Sequence, residues 1–190
     1  MNMRSRLLAS ASLWLTVSLT AASGSASMTL EQLAPGVYLH RGAHASLDDS
    51  ARADSANIGF IVGQRCVAVI DSGGALATGR AFAQAIKTVT PLPVCYVINT
   101  HVHFDHVLGN AAFQADQPRI VGHQALGEAM AANRDFFAES FADELGGQGQ
   151  HNLVIGPDLL VDGELDLDLG GRVVQVRAVA TAHTNADLTV

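Results

Sequence analysis

Two nearly unbroken apolar runs, with a helical stretch between them, constrain the fold of this chain more than any other feature. Residues 66–71 read CVAVID and residues 94–100 read VCYVINT. Runs of this kind are typical of strands that are buried on both faces. Thr78 can cap the intervening helix, and Pro91 ends it. Its apolar face is formed by Phe82, Ile86 and Val89. The strand–helix–strand order predicts a parallel or mixed sheet and an α/β fold.

The flanking segments add further elements to this unit. Residues 58–63 are a second apolar run that predicts a hairpin with residues 66–71. Residues 43–56 are small, polar and acidic, which predicts an exposed loop. The remaining predicted elements are strands at 36–40 and 119–122, helices at 107–113 and 124–145, and a β-rich region from 159 to 190.

A histidine-rich motif follows the second buried strand directly. Residues 101–106 read HVHFDH. In an extended segment His101 and His103 point the same way, so their imidazoles can converge on one ion. Asp105 and His106 come a turn later and can face a second ion. Imidazole and carboxylate ligands suit Zn²⁺ or a similar divalent metal, and α/β proteins usually bind ligands where parallel strands end.

Two residues outside this motif are candidate members of the same site. His183 follows a β-rich run and can supply the third protein ligand that the pair His101 and His103 lacks. Asp71 ends the strand expected beside the one that leads to His101. It is either a cap for the next turn or a partner that orients a metal-bound histidine, and the second interpretation is favoured. The other histidines are interpreted as surface or packing residues: His40, His44, His123 and His151.

The first 27 residues have the pattern of a secretory signal peptide. Basic residues come first, then an apolar stretch over residues 7–22, then small residues at 23–27. The apolar stretch is short for a membrane span, although an uncleaved anchor is the alternative. We therefore predict a leader at 1–27, a domain at 28–190, no stable membrane insertion after cleavage, and a periplasmic or secreted location.

Two cysteines, Cys66 and Cys95, lie near the starts of the two buried runs. Export implies an oxidising compartment, in which a disulfide between neighbouring strands is geometrically conceivable. Two buried free thiols are an equally good interpretation, because the distance between Cα atoms cannot be read from a sequence.

The charge of the chain restricts its partners. The formal net charge is −7, and no cluster of Lys and Arg occurs. Nucleic acids and anionic membrane surfaces select basic patches, so we expect neither as a partner. A small-molecule substrate fits better.

These motifs resemble the metallo-β-lactamase superfamily. The strand that ends at Asp71, the strand that ends at Thr100, the HVHFDH motif and the later His183 carry the resemblance, which covers nearly all of residues 28–190. The resemblance implies an αββα sandwich and a dinuclear zinc site. It implies that His101, His103 and His183 bind the first zinc and that Asp105 and His106 bind the second.

The same resemblance implies a catalytic role. A hydroxide between the two ions would be the nucleophile, because a zinc-bound water can reach a pKa of about 7. Asp105 would accept or orient the proton of this water. The ligands also suit iron or manganese, and some members of the superfamily use iron for oxygen or electron chemistry.

Three segments are most similar to exported zinc metallohydrolases associated with quinoprotein relay systems: residues 34–42, 57–63 and 181–190. Chains of the superfamily normally continue past the third histidine with a bridging Asp, a further His and the second half of the sandwich. We therefore expect this sequence, which stops at Val190, to be truncated. Two zinc ions are expected only for a complete site.

The resulting prediction is a periplasmic zinc-dependent hydrolase of an ester, thioester, lactone or amide bond. A β-lactamase proper is a narrower alternative, since the motif does not separate the two. A catalytically incomplete chain that binds a single metal ion is the non-enzyme alternative.

Overall fold

A computed structural model of the protein describes residues 28–190 as two β-sheets with helices. The predicted signal peptide at 1–27 lies outside the described residues. The larger sheet has seven strands in the order of the chain, β1 to β7. Strands β1 to β4 pair antiparallel, and strands β4 to β7 pair parallel. Their bounds are Glu31–Ala34, Val37–His40, Ile58–Val62, Val67–Ile70, Val94–Ile98, Arg119–His123 and Leu159–Val161.

The smaller sheet has three antiparallel strands in the order β10-β9-β8. Their bounds are Glu164–Asp168 (β8), Val173–Ala178 (β9) and Leu188–Thr189 (β10). Side chains alternate between buried and exposed along β8 and β9. This is the pattern of a sheet with one face exposed to solvent. The mixed α/β class and the parallel pairing next to the β3–β4 hairpin are confirmed.

Strand β4 explains why the apolar runs are continuous. Val67 and Val69 pack against Phe82 of helix α1 (Leu76–Val89), whereas Cys66 and Ala68 face the smaller sheet. Successive side chains of a strand point to opposite faces, so a strand covered on both faces needs an apolar residue at every position. The core therefore has two layers, one under α1 and one between the sheets.

The helical predictions need three corrections. Helix α1 begins at Leu76 after Ala75, so Thr78 lies inside the helix and is not its cap. The helix expected at 107–113 is instead a short helix α2 (Phe104–Val107) followed by a 3₁₀ segment over 110–116. The helix expected at 124–145 is divided at Asn133 into two shorter helices. These are α3 (Leu126–Ala132) and α4 (Arg134–Ser140).

The two cysteines form a disulfide between β4 and β5, with a Cα–Cα distance of 5.7 Å. The register places the strands side by side, as the disulfide interpretation requires. Within residues 28–190, no helix combines the length and the apolar composition that a membrane crossing needs.

Candidate metal centre

The HVHFDH motif lies at the carboxyl end of β5, where the chain leaves the sheet and enters α2. The motif is fixed through the carbonyl of His106, which accepts hydrogen bonds from Ser72 N at 2.9 Å, Ser72 Oγ at 3.1 Å and Asn99 Nδ2 at 3.2 Å. Gly109 passes so close to Ser72 that a side chain at this position would overlap the Ser72 carbonyl. The glycine therefore allows α2 to pack tightly against the end of β4.

Three imidazoles converge at this edge: His101, His103 and His183. We call them the three-histidine cluster. His103 Nδ1 lies 3.2 Å from His101 Nε2 and 3.1 Å from His183 Nε2. His101 is buried, whereas His103 and His183 are exposed. Within residues 28–190, these three side chains form a group whose possible metal-ligand atoms lie close to one another.

The spacing of these nitrogens fits a metal ion. A tetrahedral zinc ion with Zn–N bonds of about 2.0–2.1 Å holds its nitrogen ligands about 3.3–3.4 Å apart. The two observed separations are within about 0.3 Å of that value. Three protein ligands with an open side toward solvent are the arrangement of catalytic rather than structural zinc sites. The three-histidine cluster could therefore hold one divalent ion.

His183 reaches the cluster because the loop between β9 and β10 is fixed at both ends. Leu188 N donates to the carbonyl of Thr100 at 2.7 Å, which joins β10 to the end of β5. Inside the loop the buried Asp187 carboxylate accepts hydrogen bonds from His183 N at 2.8 Å and from Thr184 N at 2.9 Å. Burial would raise the pKa of Asp187, but the hydrogen bonds from Thr184 and His183 outweigh it and lower this pKa.

Asp105 and His106, which we call the Asp105–His106 pair, lie beside the three-histidine cluster. Asp105 Oδ2 and His106 Nε2 are 3.6 Å apart, and both side chains are largely buried. The rings of His101 and His106 are 4.0 Å apart between centroids. The two groups are therefore close enough to serve neighbouring ions. The pair supplies two ligands, fewer than a four-coordinate zinc ion needs.

Asp71 is the centre of a hydrogen-bond network behind both groups. Its Oδ2 atom accepts from His106 Nδ1 at 2.8 Å and from Thr100 Oγ1 at 2.8 Å, and its Oδ1 atom accepts from Thr100 N at 2.7 Å. Thr100 Oγ1 also lies 3.0 Å from His101 Nδ1. Because the threonine hydroxyl donates its one proton to Asp71, it can only accept from His101.

This network fixes the tautomers of two histidines. His101 carries a proton on Nδ1 and so directs an unprotonated Nε2 toward the cluster, and His106 likewise keeps Nε2 free when it is neutral. Asp71 itself adopts a left-handed backbone conformation, with φ at 57°. Left-handed residues other than glycine are uncommon, and they concentrate at functional sites.

The electrostatics differ between the two groups. Burial, reinforced by His106, lowers the pKa of His101 to about 4, and burial with His183 lowers the pKa of His103. Both rings are therefore neutral at neutral pH, which is the form that binds metals. Burial would also lower the pKa of His106, but the hydrogen bond to Asp71 and its charge outweigh burial and raise this pKa.

Sequence reasoning missed three polar residues around the site: Ser55, Thr100 and Asp187. Ser55 Oγ lies 3.0 Å from Asp105 Oδ2 and 2.7 Å from the carbonyl of Arg52, so its one proton is shared between them. The prediction of an exposed loop over 43–56 is wrong at the C-terminal end of that segment. There a 3₁₀ turn over 52–54 packs toward the site, and Ala56 is buried. Asp187, three residues after Thr184, could have been found from its local turn pattern.

Three of the remaining histidines make defined contacts. His123 Nδ1 accepts a hydrogen bond from Ala125 N at 3.0 Å. His40 is buried and lies 2.9 Å from Asp54 Oδ1 and 3.0 Å from the carbonyl of Thr29, so it is a packing residue, as expected. His151 is more exposed and pairs with Asp135 at 3.0 Å.

Comparison with protein families gives a match over most of the chain. Residues 51–190 match the family model described as "Metallo-beta-lactamase superfamily". No curated protein sequence matches the chain.

Solved structures with similar folds include a metallo-beta-lactamase from Pontibacter korlensis, with a TM-score of 0.61 and 17% identity. Another is a Cronobacter sakazakii metallo-beta-lactamase with a HARLDQ motif, with a TM-score of 0.58 and 20% identity. A third is a stereoselective inverting sec-alkylsulfatase from a Pseudomonas species, with a TM-score of 0.54 and 18% identity.

Each alignment covers 84% of this chain but only 64%, 57% and 28% of the respective solved chains. The chain therefore spans less than two thirds of the length of each of these proteins. At these identities the similarity concerns the fold.

Proposed function

Because this chain belongs to the metallo-beta-lactamase superfamily, we propose that it is a zinc-dependent hydrolase of an ester, thioester, lactone or amide bond. The observation that carries the proposal is the convergence of three imidazole nitrogens, with His103 Nδ1 at 3.1–3.2 Å from the other two. Their spacing and their position at the end of parallel strands both favour one bound divalent ion.

The Asp105–His106 pair supports a second ion in the proposal. Asp71 holds His106 with its Nε2 available, and Ser55 contacts the carboxylate of Asp105. We propose that the first ion binds at the three-histidine cluster and that a second binds at the pair. The second ion would be held more weakly, because the pair supplies fewer protein ligands.

When bound, such ions lower the pKa of a coordinated water to about 7 and polarise the substrate carbonyl. In the proposed reaction, water adds to the carbonyl carbon and the bond to the leaving oxygen, sulfur or nitrogen breaks. Asp105 accepts the proton that the water gives up, and this proton then passes to the leaving group. In this proposal His101, His103 and His183 hold the ion and exchange no proton with the substrate.

The location of the protein is a separate part of the proposal. We propose export to the periplasm, with residues 1–27 as the leader. The Cys66–Cys95 disulfide supports this location, because structural disulfides persist in oxidising compartments. Membership of the exported group associated with quinoprotein relay systems belongs to the same proposal.

The first test is the metal content of the purified chain, measured by elemental analysis without added metal. One to two zinc ions per folded chain would support the proposal. A folded chain that takes up no divalent ion, even when zinc is added, would refute it. Iron together with a visible absorption spectrum would instead favour oxygen or electron chemistry.

A panel of chromogenic substrates then identifies the bond that is cleaved. The panel should contain a carboxylic ester, a thioester, a lactone and a β-lactam. A sulfate ester is added because one protein of similar fold is a sec-alkylsulfatase. Turnover that is lost with a chelator and restored by zinc supports the proposal. Turnover of the β-lactam alone would make the chain a β-lactamase.

A further inference from the structure

A cavity of about 680 Å³ opens directly beside the three-histidine cluster. His103 and Asp105 line one end of it, so the cavity is continuous with the proposed metal centre. Its volume lies in the range of small-molecule sites in proteins. A substrate whose carbonyl reaches these two residues can extend its remaining part into this cavity.

Four phenylalanines contribute to the walls of the cavity. Phe104 lies within the HVHFDH motif and stacks on Phe141 with ring centroids 4.4 Å apart. Phe136 lies 6.0 Å from Phe141 and 5.9 Å from Phe137. Leu47 contributes from the opposite loop. We call this space the aromatic cavity.

The cavity offers no free positive charge among the residues that line it in the described part of the chain. Arg52 is the one cationic residue of the lining. Its Nε donates to Glu144 Oε1 at 2.5 Å, and its Nη1 donates to the carbonyl of Leu47 at 3.0 Å. Its guanidinium lies over the ring of Phe141, with Cζ 5.2 Å from the centroid.

The Arg52–Glu144 pair is therefore neutral as a unit. The positive charge of Arg52 is balanced by the negative charge of Glu144, so the ion pair adds no net positive charge to this wall. A substrate carboxylate or phosphate placed here would lose its hydration without gaining a counter-ion. An uncharged apolar group would lose nothing comparable, and it would gain from leaving water.

From these observations we infer that the aromatic cavity selects the substrate. It binds an uncharged, extended apolar acyl or aryl group, while the scissile carbonyl lies at the His103–Asp105 end. The inference rests on the proposed hydrolase function and adds the substrate class to it. It predicts that hydrolysis improves with the length of an apolar acyl chain until the cavity is filled.

Phe136 gives the sharpest test. It lines the cavity and is 56% exposed, so its truncation removes cavity wall without opening a hole in the core. Leu160 is a matched control, because it is 52% exposed, lies on β7 and does not line the cavity. The variants are Phe136→Ala and Leu160→Ala in the zinc-loaded full chain.

The kinetic experiment compares p-nitrophenyl acetate, butyrate, hexanoate and octanoate. For the native chain and Leu160→Ala, we expect kcat/KM to rise roughly two- to fourfold for each buried methylene. For Phe136→Ala we expect roughly a five- to tenfold loss on octanoate and less than a twofold loss on acetate. A p-nitrophenyl ester whose acyl chain ends in a carboxylate should be hydrolysed at least roughly tenfold more slowly than the uncharged ester of equal length.

A binding experiment separates failure of the inference from failure of the proposed function. The neutral fluorescent probe N-phenyl-1-naphthylamine is titrated into the metal-free and the zinc-loaded chain. Binding that Phe136→Ala weakens and Leu160→Ala leaves unchanged supports the inference, even if no ester is hydrolysed. Hydrolysis with no dependence on chain length, together with no binding of the probe, overturns the inference and leaves the hydrolase proposal standing.

Discussion

The three-histidine cluster and the Asp105–His106 pair lie next to each other but are built in different ways. The cluster draws its ligands from two distant places, the end of β5 and the loop before β10, and their nitrogens already approach to 3.1–3.2 Å. The pair comes from a single turn, and its ligand atoms are 3.6 Å apart. Side-chain partners hold the pair in place, namely Asp71 behind His106 and Ser55 beside Asp105.

The comparison teaches that strand pairing brings together the ligands of the first group, which are distant in sequence, whereas the two adjacent ligands of the second group depend on the side chains that hydrogen-bond to them. Loss of one ligand of the three-histidine cluster should therefore abolish its metal binding. The zinc affinity of the Asp105–His106 pair should instead fall gradually as its hydrogen-bond partners are removed. Four changes to the chain test this difference, beginning with the largest expected effect, and three further variants serve for comparison.

Replacing His103 with alanine should abolish the first metal position. His103 Nδ1 is the atom that both other imidazoles approach, so its loss leaves two ligands that no longer share a centre. We expect one ion fewer per chain and a loss of activity of more than about 100-fold, above the range seen when residues that support ligands are changed. Elemental analysis and ester hydrolysis measure the two effects.

His44→Ala is the control for this variant, because His44 is an exposed histidine outside the cluster. If His103→Ala kept the full metal content of the native chain, the three-histidine assignment would be wrong.

Removing the disulfide should lower the stability of the fold without changing the zinc affinity of one group relative to the other. The bond joins residues 29 apart, and closing a loop of this length contributes about 3–4 kcal/mol through the entropy of the unfolded chain. We expect the double variant Cys66→Ala, Cys95→Ala to lose about this free energy of unfolding in urea. The two zinc affinities should keep their native ratio, because the bond constrains the chain as a whole.

A selective loss of one zinc affinity in the double variant would instead mean that the disulfide positions β5 and its histidines. The native chain in the presence of a reducing agent provides the comparison that involves no substitution.

Replacing Asp71 with asparagine should weaken the second metal position about 10- to 100-fold, the range expected for a carboxylate that orients a ligand histidine. Asparagine tolerates the left-handed backbone at this position, so the variant isolates the charge and the hydrogen bonds. Calorimetric titration with zinc resolves the two affinities. The zinc affinity of the first metal position should change less, because Asp71 contacts His101 only indirectly, through the hydroxyl of Thr100.

The hydrogen-bond network has one branch from Asp71 to His106 and another from Asp71 through Thr100 to His101. Thr100→Val is the matched variant for the second branch. It removes the hydroxyl between Asp71 and His101 and leaves the contact with His106 intact. The first affinity alone should therefore fall. Equal losses at both positions in Asp71→Asn and in Thr100→Val would contradict the separation of the two branches.

Replacing Ser55 with alanine should have the smallest effect. The hydroxyl shares one proton between Asp105 and the carbonyl of Arg52, and such a hydrogen bond contributes about 0.5–1.5 kcal/mol. We expect the second zinc affinity to fall by up to about tenfold, with no change in the first. Ser46→Ala, a hydroxyl deletion elsewhere on the cavity rim, should leave both affinities unchanged.

The order of the elements could be predicted from sequence because the core is simple. The residues of β4 alternate between α1 and the smaller sheet, and this alternation leaves a continuous apolar run that is easy to recognise. The division of the 124–145 segment at Asn133 was not predictable, because both halves keep the same apolar spacing. The break depends on backbone geometry that the spacing does not reveal.

The candidate site could be predicted only where its residues are chemically distinctive. The HVHFDH motif and His183 stand out by residue type, and the structure brings the three histidines together. Ser55 does not stand out, since it is one serine in a polar loop and meets Asp105 across 50 residues of sequence. The role of Thr100 was also hidden, because its hydroxyl matters only once Asp71 and His101 flank it.

The hydrogen bond between Leu188 and Thr100 has a thermodynamic consequence. It joins the two sheets at the place where His183 from one meets His101 and His103 from the other. An ion held by all three histidines would act as a cross-link between the sheets, and the unfolded chain would not offer this site. Each tenfold rise in free metal above the dissociation constant would then add about 1.4 kcal/mol to the folding free energy. The melting temperature of the protein would thus depend on the supply of metal in its surroundings.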